Sequence, residues 1–148
     1  MLPYCRIDYI STHKYSGNAD QVMSILEEYS RRYDNTPLWL TEFGVNNEHD
    51  PAVIAAYVEE VLPRLEAADF IYRYSWFISR YTPKHEETGN WWMDSANGLL
   101  KYESSKLTAV GRAYDVPYHQ HLWLVKTFRL QNKKVLSCHA CWYYYIRC

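Results

Sequence analysis

The stretch that decides the fold runs from Pro37 to Gly44 and reads PLWLTEFG. After the proline it is apolar on both faces except near its end, as is typical of a strand buried in a parallel sheet. Asp50-Pro51 follows closely, and a capping residue followed by proline is a strong helix start. Apolar residues then recur at helical spacing over 53–62. The segment therefore predicts a buried strand followed by a helix, which Pro63 kinks or ends at Leu62.

Strand-forming stretches lie on both sides of this unit. Residues 7–13 (IDYISTH) and 70–77 (FIYRYSWF) are rich in β-branched and aromatic residues, so each predicts a strand. Asn18 can cap a helix that ends near Tyr33, with Gln21 completing a capping-box-like pair. The chain thus predicts three strands, each followed along the sequence by a helix or a long loop.

The last of these connections is a loop over 78–97 that is rich in Trp, Gly and Asn. It leads to a short final helix over 107–114, for which Thr108 is the predicted cap.

The spacing of the strands carries information about the architecture. The predicted strands begin at 7, 38 and 70, and an eight-unit (β/α) barrel of about 250 residues averages roughly 31 residues per unit. Strands that alternate with helices also form a parallel sheet with right-handed crossovers. Three units are too few to close a barrel, so the alternatives are a small open α/β sheet or a piece of a larger one.

Composition excludes several classes of protein. The chain has 148 residues, of which 48% are hydrophobic and 22% charged, with a net charge of −1. These values fit a globular protein and give no indication of a nucleic-acid or membrane partner. We find no apolar run of about 18 residues and no signal peptide, so we expect no membrane span. The 15 Tyr and 6 Trp indicate an aromatic core or a surface that stacks on rings.

The charge distribution changes abruptly after Asp115. All 17 acidic residues precede Val116, whereas residues 116–148 contain no Asp or Glu and 3 of the 4 Cys. We therefore predict two regions, an α/β region over 1–115 and an unrelated, disordered tail over 116–148.

The tail contains a C-x-x-C spacing at Cys138 and Cys141, near His119 and His121. A zinc site needs four ligands at defined spacing, and one C-x-x-C pair with scattered histidines does not provide it. We predict no metal and no cofactor.

Glu42 is the residue that stands out on physical grounds. It lies near the carboxyl end of an otherwise apolar strand, and ligands bind at that end in parallel α/β folds. A period of two predicts that Leu38 and Leu40 share its face. The alternative is a polar strand end that faces water or caps the next loop.

The ends of the neighbouring strands carry residues that suit a sugar ligand. His13 and Tyr15 follow the first predicted strand, and Trp76 and Phe77 end the third. Together with Glu42 they would place a carboxylate, polar donors and an aromatic platform at one rim. Sugar rings stack their C–H faces on aromatics and need hydrogen bonds for their hydroxyls. The alternatives are that Trp76 fills the core and that His13 is a core histidine.

Residues 5–115 resemble glycoside hydrolase family 128, the fungal-type cell-wall hydrolase-like catalytic domains that act on β-1,3-glucan. The residues that carry the resemblance are His13-x-Tyr15, Pro37–Gly44, Arg73–Phe77, Leu99-Leu100 and Leu107-Thr-x-x-Gly111-x-x-Tyr114.

The resemblance implies a fold, a reaction and a partner. The three units would be strands six to eight of a retaining (β/α)₈ TIM barrel, incomplete in this chain. Glu42 falls on the catalytic nucleophile, while His13, Tyr15, Trp76 and Phe77 fall where the sugar binds. The implied partner is a β-glucan polysaccharide, and members of the family are typically secreted or attached to the cell wall.

One part of the family pattern has no counterpart in residues 1–148. The acid/base Glu of the family follows an Asn at the end of strand four, whereas Asn47-Glu48 lies in the loop after Glu42. Retaining hydrolysis uses two carboxylates about 5–5.5 Å apart. We therefore expect a glycoside hydrolase-like chain that is inactive alone. The alternatives are a non-catalytic glucan-binding or unstable fragment, and an open α/β module unrelated to sugars.

Overall fold

Three parallel strands and three α-helices alternate along residues 7–82 and 92–115, the part of the chain that the computed structural model describes. The strands pair in the order β1-β2-β3, with β2 in the centre. The predicted α/β fold with a parallel sheet is therefore confirmed. The elements are β1 (Ile10–Tyr15), α1 (Ala19–Arg32), β2 (Leu38–Gly44), α2 (Pro51–Ala67), β3 (Ile71–Trp76), a 3-10 turn (Ser95–Asn97) and α3 (Ala109–Tyr114).

Each α-helix begins at the capping residue that the sequence predicts. The side chains of Asn18, Asp50 and Thr108 each accept a hydrogen bond from a backbone N–H two or three residues further on, at 2.8–2.9 Å. These bonds satisfy N–H groups that have no partner within the helix. Local sequence therefore determines where each helix starts.

Strand β1 lies three residues later than predicted at its start and two residues later at its end. Its first ladder bond runs from Ile10 N to Pro37 O, at 3.0 Å, because the partner strand begins only there. Tyr15 consequently belongs to the strand rather than to the loop after it, and His13 lies inside the strand rather than at its end.

Helix α2 continues through Pro63 to Ala67, so the prediction that the proline could end the helix at Leu62 is wrong. The turn beyond the proline is held by packing and charge. Leu65 is fully buried, and the Arg64 guanidinium contacts the Asp20 carboxylate at 2.7 Å.

One face of the sheet packs against the helices. Leu38, Leu40 and Phe43 of β2 are fully buried. Leu40 pairs with Tyr74 of β3, and the Tyr74 ring lies 6.4 Å from that of Tyr114 in α3. Paired residues in neighbouring strands share a face, so Leu40 lies on the helix side.

The other face, here called the open face, carries Glu42. Thr12 pairs with Leu40 while His13 pairs with Glu42, so Thr41 is an extra residue in β2. This bulge interrupts the period of two. The hydroxyls of Thr41 and Ser11 meet across the open face at 3.0 Å. The expectation that Leu38 and Leu40 share the face of Glu42 is therefore wrong.

The predicted tail, residues 116–148, lies outside the described residues, and the division into two regions stays a prediction. In the described ranges, 7–82 and 92–115, every helix is too short or too polar to cross a membrane.

Candidate active site

Glu42 lies near the carboxyl end of the central strand and is held from β1. The Tyr15 hydroxyl donates a hydrogen bond to Glu42 Oε2 at 2.6 Å, and His13 Nδ1 lies 3.3 Å from the same oxygen. The side chains of His13 and Glu42 are 35% and 27% exposed. The result is a half-buried carboxylate with both contacts on one of its two oxygens.

Tyr15 stays protonated in this environment. Burial, followed by its hydrogen bond to Glu42 and the charge of that carboxylate, raises the pKa of Tyr15 well above its ordinary value. The phenol therefore remains a hydrogen-bond donor at neutral pH.

Glu42 takes no part in the hydrogen bonds at the start of the following helix, α2. Oε1 of Glu48 accepts hydrogen bonds from the backbone N–H groups of His49 and Asp50, both at 2.9 Å. The loop after β2 is thus organised by Glu48, while Glu42 points to neighbours in the sheet.

An aromatic group lies beside the carboxylate and consists of Tyr15, Phe77 and Trp92. The Tyr15 ring meets Trp92 edge-on at 4.9 Å and Phe77 edge-on at 6.2 Å. The rings of Phe77 and Trp92 are nearly parallel, 4° apart, with 6.3 Å between their centroids. Trp92 is 36% exposed. These rings offer an accessible apolar surface next to Glu42.

The sequence analysis did not single out Trp92. The signal for it was the tryptophan-rich loop that follows β3, since this loop leaves the sheet at the edge where Glu42 lies.

The structure does not bring Trp76 into this group. Trp76 pairs with Phe43 on the helix side, is 5% exposed, and packs against Phe43 and Tyr57 of α2. Its Nε1 donates to Asn97 O at 2.8 Å. Trp76 therefore belongs to the core, as in the alternative considered for it above, while His13, Tyr15, Phe77 and Glu42 gather on the open face.

In the part of the chain that the structure describes, no three His, Cys, Asp or Glu side chains are grouped so that they could share a metal ion. The cysteines of the C-x-x-C pair lie outside that part.

Comparison with known proteins identifies the family of this chain. Residues 2–114 match the family described as glycosyl hydrolase catalytic core. No curated protein matches the chain.

Solved structures of glycoside hydrolase family 128 share the fold. A subgroup II endo-β-1,3-glucanase from Sorangium cellulosum is 30% identical, with a TM-score of 0.61 over 74% of this chain and 41% of its own. A subgroup I endo-β-1,3-glucanase from Amycolatopsis mediterranei, crystallised as a glutamate-to-alanine variant with laminaritriose and laminaribiose, is 26% identical, with a TM-score of 0.59 over 74% and 44%. A subgroup IV enzyme from Lentinula edodes, 18% identical with a TM-score of 0.61 over 74% and 44%, shares the fold.

The chain spans less than half the length of each of these solved structures. The family match nevertheless covers most of this chain, and it includes the whole described sheet. The chain belongs to the glycosyl hydrolase catalytic core family, and its matched region is a domain like those of glycoside hydrolase family 128.

Proposed function

We propose that residues 7–115 are the last three βα units of a retaining β-1,3-glucanase barrel, with Glu42 as its nucleophile. Strands β1, β2 and β3 are then strands six, seven and eight. The observation that carries this proposal is the hydrogen bond from Tyr15 to Glu42, 2.6 Å long, at the carboxyl end of the central strand. Active sites of TIM barrels lie at that end.

The contacts of Glu42 suit a nucleophile. In retaining hydrolysis an ionised carboxylate attacks the anomeric carbon, and a covalent glycosyl-enzyme intermediate forms before water releases the sugar. Tyr15 donates to Oε2 and fixes the orientation of the carboxylate, so that Oε1 is the attacking oxygen. His13 adds a second polar group at Oε2.

The aromatic group suits the substrate. Three variants of the related subgroup I enzyme from Amycolatopsis mediterranei were crystallised with laminari-oligosaccharides. In this chain Phe77 and Trp92 would stack on the C–H faces of glucosyl units, while His13 and Tyr15 line the site next to Glu42. Trp76 supports the site from the core.

The proton donor comes from outside these three units. Cleavage of a glucosidic bond needs a general acid at the departing oxygen, and a positioned acid contributes about 10²–10⁴-fold. Glu42 cannot both attack and protonate, and Glu48 is engaged at the start of α2. The resemblance to glycoside hydrolase family 128 implies that the acid follows strand four of a complete barrel.

A chimera tests the proposal. Residues 7–115 would replace the matching segment of the Sorangium cellulosum enzyme, which then supplies the other strands. We expect this chimera to hydrolyse laminarin and to release products of retained β configuration, observed by NMR. The Glu42→Gln substitution should lower the rate at least a thousandfold, because uncharged glutamine cannot form the glycosyl ester.

Glu48→Gln is the matched control, since its amide oxygen can still accept from the loop, and its rate should stay within about twofold of the parent chimera. A Glu42→Gln chimera that keeps its rate would refute the proposal. A folded chimera that binds laminarin without cleaving it would favour the alternative, a non-catalytic glucan-binding domain.

A further inference from the structure

Two loops meet beside the aromatic group. The loop after β2 contains Asn47 and His49, and the loop after β3 contains Trp92 and Asp94. Asn47 N donates to Trp92 O at 2.8 Å, and His49 Nδ1 lies 2.6 Å from Asp94 Oδ2. Trp92 is therefore attached to the loop after β2 through its own carbonyl oxygen. Asp94, two residues further on, forms a second attachment to the same loop.

Asp94 uses its two carboxylate oxygens for different contacts. Oδ1 accepts from Ala96 N at 2.8 Å and caps the 3-10 turn over Ser95–Asn97. Oδ2 contacts His49. The Asp94 side chain is only 19% exposed, against 56% for His49. His49 therefore fastens the loop after β2 to a carboxylate that is itself fixed in the other loop.

Met93, which lies between Trp92 and Asp94 in the sequence, provides a third attachment. It is 4% exposed, and a Cβ placed on Gly44 would lie 2.9 Å from Met93 Cε and 2.8 Å from Phe77 O. The close approach of Met93 and Phe77 to the end of β2 thus depends on the missing side chain of Gly44. Trp92 stands next to Met93, so its backbone is held at its own carbonyl oxygen and at the two residues that follow it.

We infer that the His49–Asp94 pair is a positioning device that holds Trp92 in place as one wall of the saccharide site. The inference rests on the proposed function, because it assigns Trp92 to β-1,3-glucan binding. His49 and Asp94 act through Trp92 and need not touch the sugar. A Trp92 side chain that is already held in place loses less conformational entropy when the saccharide binds. Breaking the His49–Asp94 pair should therefore weaken the affinity for the saccharide.

The experiment uses the whole 148-residue chain titrated with laminaripentaose by calorimetry. His49→Ala should raise the Kd about two- to fivefold, the range expected for a partly exposed hydrogen-bonded pair. His49→Asn should restore the affinity, because its side-chain amide nitrogen can take the place of Nδ1. Asp94→Ser should weaken binding like His49→Ala while its hydroxyl still caps the 3-10 turn. The double variant should be no weaker than either single one.

Hydrogen exchange at the Asn47 amide gives a readout that needs no sugar. The Asn47–Trp92 bond should open more often in His49→Ala, so exchange of that amide should accelerate by a similar factor and return to normal in His49→Asn. If His49→Ala changes neither the Kd nor Asn47 exchange, the inference is refuted and the proposed function stands. If the parent chain binds no laminaripentaose, Trp92 forms no saccharide wall in this chain and the inference is refuted, whereas the proposed function is decided separately by the chimera.

Discussion

Tyr15 contributes two different surfaces to the candidate site. Its hydroxyl donates to Glu42, and its ring packs edge-on against Trp92. The carboxylate and the aromatic group are therefore joined through one side chain on β1. A change at this hydroxyl should alter the chemistry of Glu42 and leave the packing of the rings intact.

Tyr15→Phe isolates the hydroxyl. Hydrogen bonds to charged groups contribute about 1.5–3 kcal/mol, so we expect the laminarin hydrolysis rate of the chimera to fall roughly 10- to 100-fold. The KM should change little, since the ring stays. Tyr33→Phe is the control, because Tyr33 is 53% exposed at the end of α1. An unchanged rate in Tyr15→Phe would mean that Glu42 needs no partner on β1.

Which polar residues the structure gathers around Glu42 was largely predictable from the sequence, but the aromatic neighbours were not. Glu42, His13 and Tyr15 follow from strand ends and polar residues. Trp92 could not be placed from local pattern, because its position depends on two loops that meet only in the folded chain. The burial of Trp76 depends on its pairing with Phe43.

At the scale of elements, the starts of the helices and the bounds of β2 follow from local sequence. Caps act within one turn, so Asn18, Asp50 and Thr108 could be recognised directly. The bulge at Thr41 could not, because an extra residue in a strand is visible only against its partner. That single residue separates Glu42 from the face of Leu40 and brings it to the open face.

Helix α3 depends on close approach to the preceding loop. A Cβ on Gly111 would lie 2.0 Å from Leu99 O, which also accepts the Thr108 N–H at 2.9 Å. The glycine therefore permits α3 to start against this carbonyl, at some cost in intrinsic helix propensity.

Gly111→Ala should destabilise the protein although alanine is the better helix former. The propensity gain of about 1 kcal/mol is outweighed by displacement of α3, and we expect a net loss of about 1–3 kcal/mol in the free energy of unfolding in urea. Gly98→Ala is the control, since its nearest neighbours lie at 3.4 Å. Equal stability of the two variants would show that α3 can shift freely.

At the scale of the whole molecule, buried phenols link stability to alkaline pH. Burial is the largest cause that raises the pKa of Tyr15, Tyr57 and Tyr74 above the ordinary value near 10, and neighbouring Glu42, Glu60 and Glu66 raise it further. These phenols lose their protons in the unfolded chain before they do so in the folded one.

The free energy of unfolding should therefore not depend on these three tyrosines below about pH 10, and it should fall as the pH rises above that value. The check is urea unfolding at pH 8, 9 and 10.5, together with the absorbance of tyrosinate near 295 nm. Tyr57→Phe should flatten the decline, because Tyr57 is among the most buried of these phenols. A free energy of unfolding that rises between pH 9 and 10.5 would contradict the assignment.

The central claim, that Glu42 is a nucleophile, can be tested by covalent labelling of the chimera with 2-deoxy-2-fluoro-β-laminaribiosyl fluoride. The C1–F bond breaks, a bond forms between C1 and a Glu42 oxygen, and fluoride departs without needing a proton donor. The fluorine at C2 slows hydrolysis of the ester, so the intermediate accumulates. Mass spectrometry should find one laminaribiosyl adduct, on the peptide that contains Glu42, and none in Glu42→Gln. A chimera that hydrolyses laminarin yet stays unlabelled, or carries the adduct on another carboxylate, would contradict the account.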